Sequence, residues 1–229
     1  MLITRQKQSK PLIIGRNSKH MDKIIFYSVN HLEASQELMG ELYGLRKEVF
    51  ADRLDWRVMV HDGREIDEYD NPFTTYLVGM YAGLPVASLR LINTQNPYMA
   101  EGPFRRFFNH GLPKDQLIAE SSRFFVDKTR SKAFGLRRVP ITEMLLLAMH
   151  SHAVHLGLNS IITVVSQAMA RIVLRAGWHY DILDTGNASP REKVLLLNMP
   201  VHPENDQRLK KTIESKNSQP LHKTLEIHC

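Results

Sequence analysis

Six charged side chains lie inside apolar and aromatic stretches of this chain: Arg46 in LRKEVF, Asp67 and Asp70 in REIDEYDN, Arg90 in ASLRL, and Glu120 and Arg123 in AESSRFF. An ionised group is costly to bury unless paired, so charges embedded in this way imply an ion-pair network or a site. The acids and arginines are equal in number. A pocket lined by both signs suits a substrate that is itself zwitterionic or multiply charged, such as an amino acid derivative.

Glu120 is the candidate general base, being the only carboxylate in a strand otherwise built of apolar and hydroxyl residues. Burial raises a carboxyl pKa toward the working pH and a neighbouring arginine lowers it. The alternative is a structural pair with Arg90 or Arg123. Strict alternation puts Glu120, Ser122 and Phe124 on one strand face and Arg123 on the other, so joint action of Glu120 and Arg123 requires a bulge. Asp67 and Asp70, with Glu65 and Glu68 beside them, read either as a solvated acidic turn or as a wall that reaches the arginines and receives a cation. Phe50 and Trp56 bracket a polar loop, where aromatics either stack on a ligand or anchor packing. Arg171 and Arg175, spaced i, i+4, form a solvated basic helix face or a docking patch for an acidic protein, joined by Lys128, Arg130, Lys132, Arg137 and Arg138. The histidines show no metal-ligand spacing: of His150, His152 and His155 only the last two are helical neighbours, and no carboxylate completes a set.

The elements that must carry these residues follow from period and punctuation. KIIFYSV at 23–29 is a β-branched and aromatic strand, and Leu38, Leu42, Leu45 and Val49 mark one face of an amphipathic helix over 32–50, with Arg46 near its end. The polar, aperiodic stretch 51–72 reads as a loop. TTYLVGMYA and VASLRLIN form a hairpin with its turn at 83–85, and 116–127 is a further strand. Pro140 opens a strongly apolar helix that Gly157 closes; a buried strand follows, and Ser166 caps the helix QAMARIVLRAG. WHYDIL and KVLLLNM supply two last strands. The order predicts an α/β fold with a mixed central sheet flanked by helices. One catalytic domain, 21–200, is expected between a basic leader at 1–20 and a polar C-terminal extension at 201–229.

Composition narrows the class. The chain of 229 residues carries a formal charge of +6, but its leader holds five basic groups and no acid, and residues 21–200 are neutral overall. The basic balance therefore belongs to the leader, which argues against a nucleic-acid partner. The only cysteine is Cys229, which leaves no internal disulfide or thiolate cluster. No apolar stretch is long enough to span a bilayer and the leader lacks a secretory h-region, so a cytoplasmic protein is expected. No glycine-rich dinucleotide or P-loop motif follows a strand.

Taken in order, Arg46, Phe50, Trp56, Asp67, Asp70, Arg90, Phe104, Glu120 and Arg123, with the phrases ESSRFFV and RAGW, resemble the residue set of the LuxI-type acyl-homoserine-lactone synthases. The match runs from about 23 to 200. The resemblance implies a fold similar to the GNAT acyltransferases and a cleft for two substrates: S-adenosylmethionine and a fatty acyl thioester on acyl carrier protein. It implies that the methionine amine attacks the thioester and that its carboxylate then displaces the sulfonium, releasing methylthioadenosine and a lactone that serves as a quorum-sensing signal. No cofactor or metal is implied. Glu120 then takes the amine proton, with Ser122 or a bulge beside it supplying oxyanion donors. Arg46, Phe50, Trp56, Asp67, Asp70, Arg90, Phe104 and Arg123 would hold the nucleotide. Met144, Leu147, Met149 and Thr163 would line the acyl chain, Thr163 being associated with 3-oxo chains, and Arg171 and Arg175 would dock the acidic carrier. The rival is a GNAT acetyltransferase using acetyl-CoA, but the loop DKTRSKAFGLRRVP has a single glycine, Gly135, where a pyrophosphate cradle needs several.

Overall fold

The computed structural model describes residues 23–189, 192–217 and 221–229; the basic leader 1–20 lies outside them. β1 (Ile24–Asn30) leads into α1 (Gln36–Arg46), whose N-terminus is capped by Ser35 Oγ accepting from the Leu38 N–H at 3.2 Å. The helix does not stop at Arg46 but widens into a π-helical segment, Lys47–Arg53, that carries Phe50. The expected loop 51–72 contains a small hairpin, β2 (Val60–His61) and β3 (Arg64–Glu65). Its two-residue turn, Asp62-Gly63, has both φ angles positive, which is the hairpin geometry that matches strand twist.

β4 (Thr74–Tyr81) and β5 (Leu84–Asn93) form the expected hairpin, but the turn falls at Ala82-Gly83 rather than 83–85, because both residues take positive φ and Pro85 already belongs to the strand. β6 (Ile118–Val126), α2 (Lys128–Ala133), α3 (Ile141–His155), β7 (Ser160–Ser166) and α4 (Gln167–Ala176) follow. Ser166 caps α4 through its Oγ to Met169 N. β8 (Asp181–Ser189) and β9 (Glu192–Pro200) pair antiparallel. Residues 201–229 add α5 (Pro203–Lys216), α6 (Leu221–Thr224) and β10 (Leu225–His228), the last running parallel to β1.

The eight-stranded sheet has the order β10-β1-β4-β5-β6-β7-β9-β8, mixed in direction and covered on both faces. On one side α3, apolar around most of its circumference, sits in the largest core with α4 and α5. On the other, α1 packs on β4 while the long 94–117 segment packs on β5, β7 and β9. β6 and β7 matter most for function. They pair in parallel only from Ile118↔Ser160 to Glu120↔Ile162; beyond that β6 stays with β5 and β7 with β9. A notch therefore opens in the sheet directly after Glu120. No helix among the described residues is long and apolar enough to cross a membrane.

One core residue carries a stability prediction. His152 on α3 is buried, neither ring nitrogen has a hydrogen-bond partner among the described residues, and burial pushes its pKa down to about 4 from 6.5. A histidine whose folded pKa is depressed contributes stability above its unfolded pKa that is lost as pH falls from 6.5 through about 4. His152→Leu is expected to raise stability by about 1–2 kcal/mol at neutral pH, more at pH 5, read from urea midpoints at both pH values.

Candidate active site

Five of the six charges converge, and the third acid of the network is Glu65 rather than Glu120. Arg46 lies at the end of α1 and gives a two-pronged bond to Asp70, Nη1 to Oδ1 at 2.7 Å and Nη2 to Oδ2 at 2.9 Å, while its Nε reaches Glu65 Oε2 at 2.5 Å. Arg90, inside β5, grips Asp67 at 2.5 and 3.1 Å and Asp70 at 3.0 Å. Arg123 bonds Glu65 at 2.8 Å and Asp67 at 2.7 Å. Three guanidiniums thus face Glu65, Asp67 and Asp70 and balance them. Tyr76 adds a hydroxyl to Asp70 at 2.7 Å. Burial alone would raise the Asp70 carboxyl, and Arg46 and Arg90 override it, holding the group well below the usual carboxylate range.

The acidic segment is therefore a buried wall rather than a solvated turn. The Asp62-Gly63 hairpin lays β3 against α1 and turns Glu65 inward, fully covered. The DG pair was the signal that could have found Glu65. Arg123 reaches the wall because β6 does bulge: the register with β5 shifts between Ser88 and Arg90, and Arg123 takes φ +53°. A non-glycine residue in that region is strained, and here hydrogen bonds to Glu65 and Asp67 hold it.

Glu120 stands apart from the arginines. Its oxygens accept from the Met99 N–H at 2.8 Å and the Ala100 N–H at 2.7 Å, which overturns the structural pairing with Arg90 or Arg123. The side chain sits opposite Ile92 and Ile162, and only 1% of the residue is exposed. Burial pushes its pKa up to about 7 against the two amide bonds, which lower it. Ser122 Oγ, next on the same face, accepts from Arg90 Nε at 3.0 Å, so its own proton is not used in that bond.

The aromatic residues divide. Phe50 is buried beneath the Arg123 guanidinium, 5.5 Å from its ring centre, and Trp56 stacks on Phe50 at 5.2 Å with half its surface exposed. Phe104 is half-buried and lies in the 94–117 segment beside Phe107. Tyr69, from the acidic segment, reaches under that segment at Gly102, where any Cβ would collide with its hydroxyl. The predicted acyl-chain residues do not form one wall. Met144, Leu147 and Met149 are all buried on α3, but Leu147 and Met149 are two positions apart and project from different sides. Leu147 borders a pocket of about 470 Å³ shared with α5, α6 and β10. Thr163, beyond the parting of β6 and β7, donates its hydroxyl to Ser121 O at 2.9 Å. Arg171 and Arg175 are exposed on α4 and contact none of the network residues.

Comparison with known proteins identifies the family of the chain. The pattern of the autoinducer synthase family matches residues 30–209. An acyl-homoserine-lactone synthase of Pseudomonas amygdali pv. tabaci is 59% identical over 172 residues, 75% of this chain and 76% of the relative. The fold is similar to the crystal structure of the synthase LasI, with TM-score 0.74, 23% identity and coverage of 82% of this chain and 95% of that one. It is likewise similar to BjaI, a CoA-dependent acyl-homoserine lactone synthase solved with SAM and isopentyl-CoA, with TM-score 0.73, 21% identity and coverage of 83% and 90%. On the extent of the match and the identity to that Pseudomonas relative, the chain belongs to the autoinducer synthases, the acyl-homoserine-lactone synthases, and is an acyltransferase of GNAT-like fold.

Proposed function

We propose that this enzyme acylates the α-amine of S-adenosylmethionine from an acyl carrier protein thioester and then closes the homoserine lactone with release of methylthioadenosine. The observation that carries the reading is Glu120: a buried carboxyl at the point where β6 and β7 part, with a pKa of about 7. The methionine ammonium must lose a proton to attack, and Glu120 is tuned to accept one near neutrality, directly or through water. The amine nitrogen bonds the thioester carbon, the thiol departs with a proton, and Ser122 Oγ–H, whose oxygen accepts from Arg90 Nε, donates to the transient oxyanion. In the second step the substrate carboxylate displaces the sulfonium; this is intramolecular, so a folded conformer supplies most of the catalysis.

Asp67, the most exposed of the three network acids, is the group that can approach the substrate cation, with Trp56, Phe50 and Phe104 against the nucleoside. Arg46, Asp70, Arg90 and Arg123 fix that wall rather than contact the substrate through free charge. A pocket of about 410 Å³ beside the end of β6, lined by Lys128, Lys132, Arg137 and the start of α3, suits the phosphate of a phosphopantetheine arm. Carrier protein and CoA share that arm, and BjaI is CoA-dependent, so acyl-CoA is the second donor to test. For Thr163 to favour 3-oxo chains, its hydroxyl must turn from Ser121 O toward the extra carbonyl. Both substrates are soluble metabolites or carriers, in keeping with action in the cytoplasm and with no membrane span or nucleic acid partner.

The test is incubation with S-adenosylmethionine and a panel of acyl and 3-oxoacyl thioesters on carrier protein or CoA, following methylthioadenosine and acyl-homoserine lactone. No lactone from any donor would remove the reading. Arg171→Glu with Arg175→Glu is expected to raise the KM for acyl carrier protein about ten-fold or more while leaving the nucleotide KM unchanged. An unchanged carrier KM puts the docking face elsewhere.

A further inference from the structure

Asp184 lies on β8, far along the chain from the residues above, yet one of its oxygens accepts three hydrogen bonds from a single tip of the 94–117 segment. These come from the Asn109 N–H at 2.8 Å, the His110 N–H at 2.9 Å and His110 Nδ1 at 3.0 Å. Its other oxygen accepts from its own neighbour, the Thr185 N–H, at 2.7 Å, which fixes the carboxylate in place. Two residues further along β8, the backbone of Gly186 is packed so tightly against Phe107 that any Cβ would strike the Phe107 carbonyl. The segment is thus fastened to the edge strand at one end and to Glu120 through Met99 and Ala100 at the other, with the Tyr69 hydroxyl against Gly102 between them. A surface segment of this length needs such anchors to hold one conformation.

We propose that Asp184 is a positioning residue: by holding Asn109 and His110 on β8 it keeps the Met99 and Ala100 N–H groups aimed at the Glu120 carboxylate. The proposal rests on the reading of Glu120 as the base. The charged and titratable groups that act on Glu120 are Arg90, Asp67, Tyr69 and Tyr98, and of these four only Tyr98 lies on the segment that Asp184 fastens. His110 is the titratable group facing Asp184, and its side chain is largely in solvent. Release of the anchor withdraws the two amides while Ile92 and Ile162 continue to exclude water, so Glu120 becomes harder to ionise.

The experiment compares wild type, Asp184→Ala, Asp184→Asn and His110→Ala. Asp184→Ala is expected to lower kcat about ten-fold with the nucleotide KM within about two-fold, and to move the acidic limb of the pH–rate profile up by about half a unit or more. Amide exchange in peptides covering 97–108 is expected to quicken about ten-fold, with the melting temperature within about 2 °C of wild type. Asp184→Asn keeps an acceptor oxygen and restores most of the rate, and His110→Ala keeps both backbone bonds and the wild-type limb. An acidic limb that stays in place or moves down in Asp184→Ala, or unchanged exchange in 97–108, overturns the proposal. If the limb persists in Glu120→Gln, the base assignment fails instead, and exchange alone then judges whether Asp184 anchors the segment.

Discussion

Glu120→Gln is expected to lower kcat for lactone formation by about 10²–10⁴-fold while leaving S-adenosylmethionine binding within a few-fold of wild type. The side chain keeps its volume and an oxygen that accepts from one of the Met99 and Ala100 amides; its NH2 faces the other N–H, a local cost to stability, and what catalysis loses is the proton acceptor. The pH dependence separates this from a structural effect. With a pKa of about 7, Glu120 is protonated and unable to accept a proton at pH 6, so wild-type kcat/KM should climb through about 7 and that limb should vanish in the variant. The stability linkage has the opposite sense. The folded pKa lies above the unfolded value of 4.5, so the favourable contribution of the neutral carboxyl is complete below 4.5 and lost as pH rises through about 7. The variant should therefore show a smaller fall in melting temperature between pH 5 and 8. Near-wild-type turnover, or an unchanged acidic limb, would sink the assignment.

The parts of this fold that are legible in sequence are those where period and punctuation act locally. The α3 helix runs from Pro140 to the turn at Gly157 because no glycine or proline breaks its strongly apolar sequence, and Ser166 begins α4 because its hydroxyl accepts from the free Met169 N–H. Even the bulge at Arg123 follows from a conflict readable in the sequence, since alternation alone sends Glu120 and Arg123 to opposite faces. What is illegible depends on long-range closure. The partner of Glu120 is a pair of backbone amides twenty residues upstream, and no side-chain pattern encodes amides. The parting of β6 from β7 is invisible for the same reason, because each strand taken alone is an ordinary β-branched or aromatic run. Which cavity each acyl-chain candidate borders is likewise a matter of packing: positions 147 and 149 of a helix project from different sides, and Leu147 turns toward α5, α6 and β10. Glu65 was hidden by its company, for REIDEYD offers four acids at similar spacing, and only the hairpin turn sends Glu65 inward.

That choice yields the second large effect. Glu65 and Glu68 are three residues apart in one polar segment, yet Glu65 is fully covered between Arg46 and Arg123 while Glu68 is exposed. Removing Glu65 leaves two buried guanidiniums short of a partner, and an uncompensated buried charge costs about 3–5 kcal/mol. Glu65→Ala is therefore expected to lower the melting temperature by roughly 10 °C, and Glu65→Gln by somewhat less, since the amide oxygen still accepts from one guanidinium. Glu68→Gln, the control in the same segment, should stay within about 0.5 kcal/mol of wild type. The network's contribution also has a defined pH sense: Asp70 is held below its ordinary range, so the stability it confers is present above pH 3.8 and is lost as pH falls further. Activity should fall with Glu65 as well, because Arg123 is kept at positive φ by its bonds to Glu65 and Asp67, and its guanidinium forms the lid over Phe50 in the aromatic half of the site. A double-mutant cycle of Glu65→Gln with Arg123→Met should show coupling of about 1–3 kcal/mol. If Glu65→Gln proves no more disruptive than Glu68→Gln, the buried wall is not the element that holds the active site together.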